Sequence, residues 1–346
     1  MDPAIRIVIP CHNCARTICR ALDSLHQQSF QGFEAILVDD ESTDDTWKII
    51  TQYAAHSPLK LLCLSQRHAG AAAARNLGME DCTTPYLMFL DADDVYHPDL
   101  IRCLYHGVGH GCDTAFCLTS RDVDAVFSDV RSVPADCFHR LAIDEAMEYF
   151  MYHKEQIHFT GFLYSREILT RHAIRFRSGV CYGEDLEFVW KYLAHCTNAC
   201  LVHARLYGYE NHPASAVHQV RWNKTDLADA MLRTGQYLRK QHPTFADSFS
   251  SYMLPRSMWT VAKTFALGRK WSMYQLFCQR YHLRPYMRQL AETARSRPLR
   301  LTARLYLLSP WLFYHGVGMI SRLRRMKLER RNSHHAYHQR TDQHLQ

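Results

Sequence analysis

IRIVIPCHNCARTICRALDSLHQQSFQGFEAILVDD, Ile5 to Asp40, decides the fold. The β-branched run IRIVIP reads as a buried strand, CHNCA as a polar turn, and the segment from about Thr17 to Gln28 as an amphipathic helix. FEAILVDD repeats the opening as an apolar strand that ends on two acids, Asp39 and Asp40. STDDTWKIITQYAA follows as a second helix, with Ser42 or Thr43 as the expected cap. Strands alternating with helices in this way build a parallel α/β sheet.

The alternation continues outward from this stretch. LKLLCLSQ is a third strand, HAGAAAARNLGMEDC an alanine-rich helix, and YLMFLDADD, Tyr86 to Asp94, a fourth strand. Asp91, Asp93 and Asp94 stand at the carboxyl end of that strand with no neutralising residue beside them in the chain. In doubly wound sheets ligands bind at the carboxyl ends of strands, near the reversal of strand order, so these acids are site candidates. Beyond Pro98 a helix is expected from Asp99, then one or two strands in AFCLTSRDVDAVFSDV. HFTGFLYSREILTRHAI reads as a short strand and helix, and ACLVHARLYGYENH as a strand pair. GEDLEFVWKYLAHC is a helix with apolar positions at Leu186, Val189, Trp190 and Leu193. After about Arg221 strands cease, and aromatic- and Arg-rich helical patterns run on to a polar tail, SHHAYHQRTDQHLQ. The expected division is an α/β domain over 1–221 with halves 1–101 and 102–221, a helical basic region over 222–332, and a flexible tail over 333–346.

At 346 residues and 47% hydrophobic content the chain can bury a large core. Thirteen cysteines, many in apolar runs and with no signal peptide before them, suggest reduced thiols and a cytoplasmic setting. The 22 histidines read as scattered, so no zinc site is expected. The net charge of +7 is concentrated: Arg295 to Arg331 holds ten Lys/Arg against Glu329 alone, leaving the remainder slightly acidic. That asymmetry points to an anionic membrane surface contacted by the tail, and not to nucleic acid. LYLLSPWLFYHGVGMI, Leu305 to Ile320, is interrupted by Pro310, His315 and two glycines. It falls short of the roughly 20 apolar residues that span a bilayer. With Trp311, Phe313 and Tyr314 inside it and arginines around it, it suits an in-plane anchor on the inner face of the cytoplasmic membrane.

Two acids one residue apart on a tight turn can hold a hard divalent cation through oxygen, although an isolated DxD is more often a turn with helix-capping acids. Here order adds weight. IRIVIPCHNCARTICRALDSLHQQSFQGFEAILVDDESTDDT, HAGAAAARNLGM and YLMFLDADDVYHPDLI together resemble the nucleotide-sugar-binding half of family 2 glycosyltransferases, whose fold is termed GT-A. The likeness is close over Ile5 to Ile101 and looser over IRFRSGVCYGEDLEFVWKYL and YGYENHPASAVHQ, which match the acceptor half. Beyond about Asp226 only a general likeness to lipopolysaccharide-type sugar transferases remains.

The resemblance implies a metal-dependent, inverting transfer from a nucleotide-sugar donor, with UDP-sugar foremost, to a glycan or lipid-linked acceptor. It implies that Pro10, His12, Asn13, Asp39 and Asp40 surround the base and ribose. Asp40 would face the base N–H and Asp39 fix the loop, with His12 in place of the more frequent tyrosine. Gly70, Arg75 and Asn76 would serve ribose or diphosphate, and Asp91 and Ala92 the donor. Asp93 would ligate Mg²⁺ or Mn²⁺ with Asp91 in support, Asp94 being a structural cap. Inversion requires a base opposite the leaving group; Asp185, at a helix start whose dipole favours the carboxylate, is the candidate, with Glu184 supporting it. HQVRW, His218 to Trp222, is similar to the QxxRW of processive synthases, but His replaces Gln and the accompanying membrane helices are missing, so its role stays open. Two other readings stand beside this one. A nucleotidyltransferase also sets acids at strand ends, but no glycine-rich phosphate loop follows the first strand. A non-catalytic sugar-nucleotide or glycan binder would have no need of Asp185.

Overall fold

The computed structural model describes residues 2–129, 131–153, 156–210 and 220–319. It opens with the expected alternation: β1 (Ile5–Cys11), α1 (Ile18–His26), β2 (Phe33–Asp40), α2 (Thr46–His56), β3 (Leu61–Gln66), α3 (Ala71–Met79) and β4 (Tyr86–Phe89). β1 lies between β2 and β4 and is parallel to both, while β3 pairs parallel with the far side of β2. Helices cover both faces of such a strand, which is why Ile5, Ile7, Val8 and Ile9 are all fully buried and the run has no polar alternation.

The chain continues through β5 (Val95–Tyr96), α4 (Leu100–Gly109), β6 (Thr114–Ser120), α5 (Val123–Ser128), β7 (Phe138–Ala142) and α6 (Ile143–His153). β8 (Phe162–Ser165), α7 (Arg166–Arg171), α8 (Glu184–Leu193) and β9 (Asn198–Gly208) complete this part. β8 pairs antiparallel with both β4 and β6, which joins the parallel half to a mixed half and gives the order β3-β2-β1-β4-β8-β6-β9-β5, with β7 on β9. The doubly wound α/β class is the expected one, with the parallel half read from the strand–helix alternation and the antiparallel β8 making the whole sheet mixed.

Local readings differ at four places. DVDAVF is the helix α5, not a second strand: Asp122 Oδ1 accepts the Ala125 amide at 3.0 Å, and Val123 and Val126, three apart, face inward. ACLVHARLYG is one strand rather than a pair. The polar interruption His203–Arg205 is an irregularity in the register with β6, exposed at His203 and Arg205, and no turn. α2 begins at Thr46 without Ser42 or Thr43 as its cap, because both are spent on Asn13: Ser42 Oγ accepts the Asn13 amide at 3.0 Å, and the Thr43 amide donates to Asn13 Oδ1 at 2.8 Å. The histidines are not all scattered, since His106 and His110 meet one turn apart with Nε2 atoms 2.9 Å from each other.

By compactness the chain forms two units, one of residues 1–218 with 229–246 and one of 219–228 with 247–346. α9 (Asp226–Gln241) and α10 (Pro243–Ser248) contribute to both, and no strand occurs among the described residues from 220 onward. The second unit holds a π-helical turn (Phe249–Met253), α11 (Leu254–Leu267), α12 (Trp271–Arg280), α13 (Arg284–Thr293), α14 (Arg297–Leu308) and a last helix over 310–319. Proline in the first turn of α13 and α14 sets the helical φ where no intrahelical N–H is needed. Of HQVRW, His218 and Gln219 lie outside the described residues, and Trp222 stacks on Phe265 at 5.9 Å. Among the described residues no helix is long and apolar enough to cross a membrane. Phe313 and Tyr314, expected at an anchor surface, are buried against Tyr274, whereas Trp311 is 55% exposed.

Candidate active site

From β1 the chain winds outward to β2 and β3, then returns across β1 to β4, so strand order reverses between β1 and β4. A cavity of about 840 Å³ opens there, at the carboxyl ends of the strands. Pro10, His12, Asn13, Asp40, Arg75, Asp91, Ala92, Asp93, Glu184 and Asp185 line it, bringing together residues from five separated stretches of chain.

On one wall the β1–α1 turn is clamped to the β2–α2 turn through Asn13, whose φ of 50° is left-handed and whose amide oxygen accepts from Thr43. His12 Nδ1 lies 2.8 Å from the Asp40 carbonyl oxygen, and its ring sits 4.6 Å from that of His68, a residue the sequence reading passed over. The Asp40 carboxylate accepts Gln66 Nε2 at 2.7 Å and the amides of Ala69 and Gly70 at 2.8 and 2.9 Å. Burial opposes its charge, but these donors outweigh that cost and hold the carboxyl below its ordinary range. Asp39 is 5% exposed and does not line the cavity; its Oδ2 accepts the Ser42 amide at 3.2 Å, as expected of a loop-fixing residue, while its Oδ1 is buried without a partner.

Gly70 precedes α3 with φ +89°, a conformation open to glycine and strained for other residues. Five residues on, the buried Arg75 sends Nη2 to Asp91 Oδ1 at 2.7 Å and Nη1 to within 3.7 Å of Glu184, with its guanidinium over the rings of Phe159 and Phe176. The expectation that nothing in the chain neutralises the acids after β4 is therefore corrected for Asp91. Its partner is 16 positions away on α3, brought close because α3 and β4 both border β1. Asn76 does not line the cavity. Its side chain exchanges two hydrogen bonds with the Phe176 backbone, 2.8 and 2.9 Å, and so anchors the stretch leading to α8.

Asp93 is exposed on the cavity wall. Asp94 is buried: Tyr207 Oη and the Glu210 amide, at 2.7 Å, both donate to it. Burial, with Asp91 and Asp93 adding repulsion, pushes its carboxyl well above the ordinary range, consistent with a structural role. His158, also unanticipated, stacks on Tyr207 at 5.5 Å and has one ligand atom within 4.8 Å of those of Asp91 and Asp94. Burial lowers the His158 pKa against the pull of Asp91 and Asp185, so the ring favours its neutral form, which can ligate a metal. A set of carboxylate oxygens with one imidazole suits Mg²⁺ or Mn²⁺.

Opposite these acids, Gly183 in a left-handed conformation, φ 84°, turns the chain into α8. α8 is held by its buried Glu187, which pairs with Lys191 at 2.7 Å and Arg233 at 2.6 Å. Its first turn presents Glu184 and Asp185 to the cavity, and Asp185 Oδ1 accepts the Leu186 amide at 2.7 Å. Burial and the neighbouring Asp185 push the Glu184 carboxyl up to about 7, against the opposing pull of Arg75. One cavity thus offers an acidic, metal-compatible wall facing a carboxylate pair at a helix start.

Comparison with known proteins agrees with this geometry. Residues 6–173 match the model of the family described as Glycosyl transferase family 2. The Uncharacterized glycosyltransferase YibD of Escherichia coli (strain K12) is 24% identical over 259 residues, covering 72% of this chain and 74% of YibD. The UDP-Glc:alpha-D-GlcNAc-diphosphoundecaprenol beta-1,3-glucosyltransferase WfaP of Escherichia coli is 36% identical over 93 residues, 27% of this chain and 36% of WfaP. In fold, S. aureus TarS 1-349, solved in complex with UDP-GlcNAc, superposes with a TM-score of 0.68 at 16% identity, over 93% of this chain and 92% of TarS 1-349. The ordered motifs, the mixed sheet and the family match agree: residues 6–173 carry a glycosyl transferase family 2 domain, on a GT-A fold.

Proposed function

We propose that this glycosyltransferase moves a sugar from a UDP-sugar to a hydroxyl of a glycan or lipid-linked acceptor, with inversion and with the help of Mg²⁺ or Mn²⁺, in the synthesis of a surface polysaccharide or lipopolysaccharide. The observation that carries the reading is the meeting of Asp91 and Asp93 with Glu184 and Asp185 across one cavity at the switch point of the sheet. The UDP-glucose donor and diphosphoundecaprenol acceptor in the name of WfaP, and the UDP-GlcNAc in TarS, support the choice of donor and acceptor class.

In this reading His12, Asn13 and Asp40 border the base, and Asp91 with Ala92 borders the donor. Asp93 and Asp91 would hold the divalent ion, which supplies Lewis-acid neutralisation of the departing diphosphate. Asp185 accepts the proton of the acceptor hydroxyl as that oxygen attacks the anomeric carbon. Glu184, half neutral near pH 7, sits between Asp185 and Arg75 and keeps the pair from carrying two full charges. The basic segment from Arg295 would hold the enzyme on the inner face of an anionic membrane.

A screen of nucleotide sugars with Mn²⁺ and a membrane lipid extract, read as nucleotide release and product formation, tests the proposal. Release of UDP from one UDP-sugar, dependent on the extract, is the expected result. No transfer or hydrolysis with any donor, together with no UDP binding by calorimetry, overturns it.

A further inference from the structure

The first turn of the cavity carries a feature that sugar transfer does not use. Cys11, the last residue of β1, and Cys14, in the turn before α1, stand at CxxC spacing on the cavity wall, with His12 and Asn13 between them. Both are free thiols; Cys11 is buried and Cys14 half-buried. Cys11 Sγ donates to the Ile9 carbonyl oxygen at 3.6 Å, and Thr46 Oγ1 lies 3.8 Å from the Cys14 sulfur as a donor. Interaction with the neighbouring Cys11 thiol lowers the Cys14 thiol pKa, while the same interaction and burial raise that of Cys11, so Cys14 is the thiol that ionises first. CxxC is the spacing at which dithiol motifs close to a disulfide.

We infer that Cys11 and Cys14 form a reactive dithiol, a modification site for low-molecular-weight disulfides, whose closure to a disulfide weakens nucleotide binding in the adjacent pocket. The chemistry balances as two exchanges. The Cys14 thiolate attacks one sulfur of oxidised glutathione and expels glutathione thiolate, leaving a mixed disulfide. Cys11 then loses its proton, its sulfur attacks Cys14 Sγ, and the second glutathione leaves. The two protein thiols are oxidised and one glutathione disulfide is reduced to two thiols. Bridging draws in the ends of a turn that is otherwise tied to α2 through Asn13 and the Cys14 amide, which donates to Thr46 Oγ1 at 2.8 Å. His12 and Asn13, on the cavity wall, move with it. The consequence for nucleotide rests on the function proposed above; the thiol chemistry does not.

The test treats the full chain with oxidised glutathione, with and without UDP. The tryptic fragment 7–16 holds both cysteines and no other, so the exposed Cys19 and Cys181 do not interfere. Mass spectrometry should show this fragment losing two hydrogens, more slowly when UDP is bound. UDP affinity by calorimetry should fall at least tenfold and return with dithiothreitol. Cys14→Ser should bind UDP like the parent and ignore the oxidant, with Cys11→Ala as the second variant if the first does not fold. A fragment that stays reduced, or that keeps glutathione on Cys14 without bridging, overturns the site. A bridge that leaves UDP affinity unchanged overturns the coupling to the pocket. Failure of the reduced protein to bind UDP would count against the proposed function, while the mass readout still decides the dithiol.

Discussion

Arg75 is the residue around which the acids of the cavity are arranged. It is 5% exposed, touches Asp91 directly and stands 3.7 Å from Glu184, so a single buried cation is shared between the β4 wall and the α8 wall. Burying such groups unpaired costs several kcal/mol, about 3–5 when one partner of a buried pair is removed, which explains why Glu184 keeps a proton that an exposed glutamate would lose. The sign of the resulting pH dependence follows. With a folded pKa near 7 against an ordinary 4.5, the folded protein binds a proton between those values that the unfolded chain does not. The stability this adds is full below pH 4.5 and is lost as pH rises through about 7. Glu184→Gln, which resembles the neutral form, should therefore gain in melting temperature relative to the parent at pH 8, and the gain should shrink by pH 5. A difference independent of pH would show that the carboxyl titrates in its ordinary range. For Asp185→Asn the expected outcome concerns chemistry and not the fold. Losing a general base costs about 10²–10⁴ in rate, so transfer should drop by at least about 100-fold while UDP affinity by calorimetry stays nearly intact. Equal loss of both would assign Asp185 to structure.

At the scale of elements, α3 sets how closely the cavity's cation approaches the sheet. Its alanines lie on β1 and β2, and a Cβ added at Gly78 would run into Val8, fully buried in β1. Gly78→Ala should cost about 1–3 kcal/mol by urea unfolding, as other overpacked cores do, and move Arg75 away from Asp91. An unchanged midpoint would mean that α3 can lift without cost. This contact was not legible in the chain, because an alanine-rich helix states only that something packs close, not what. What was legible followed from local pattern: the four strands of the parallel half, the acids at their ends and the start of α8 all rest on periodicity and capping. Readings failed where two patterns overlapped, as in DVDAVF, whose valines at 123 and 126 fit a helix while their neighbours alternate, and at His203–Arg205, where a polar interruption resembled a turn. In the site, Asp91, Asp93, Glu184 and Asp185 announced themselves by position next to turns, whereas His68, His158 and the partnership of Arg75 with Asp91 depend on long-range contacts. Cys11 and Cys14 stand at CxxC spacing, and the expectation that no such pair occurs in the chain is corrected.

For the whole molecule, charge is divided along the chain: the body is slightly acidic and the segment from Arg295 to Arg331 strongly basic, an arrangement that orients a protein toward an anionic surface. Within that segment burial separates two kinds of apolar residue. Leu299, Ala303, Tyr306, Phe313 and Val317 are buried, so deleting the segment outright would unpack the helices as well as remove charge. Leu308, Trp311 and Met319 are 77%, 55% and 62% exposed and carry little of that packing. If the segment seats on a bilayer, these are the side chains that enter the interface, each worth about 1.5–3 kcal/mol when fully withdrawn from water. The double variant Leu308→Glu, Trp311→Glu should then bind vesicles of anionic phospholipid at least about tenfold more weakly in a flotation assay, a factor that corresponds to only part of that energy. Its melting temperature should stay close to the parent's, since neither side chain is buried. Binding that persists in the double variant but vanishes at 0.5 M salt would leave the arginines as the whole of the attraction, and binding that persists under both conditions would place the contact elsewhere on the molecule.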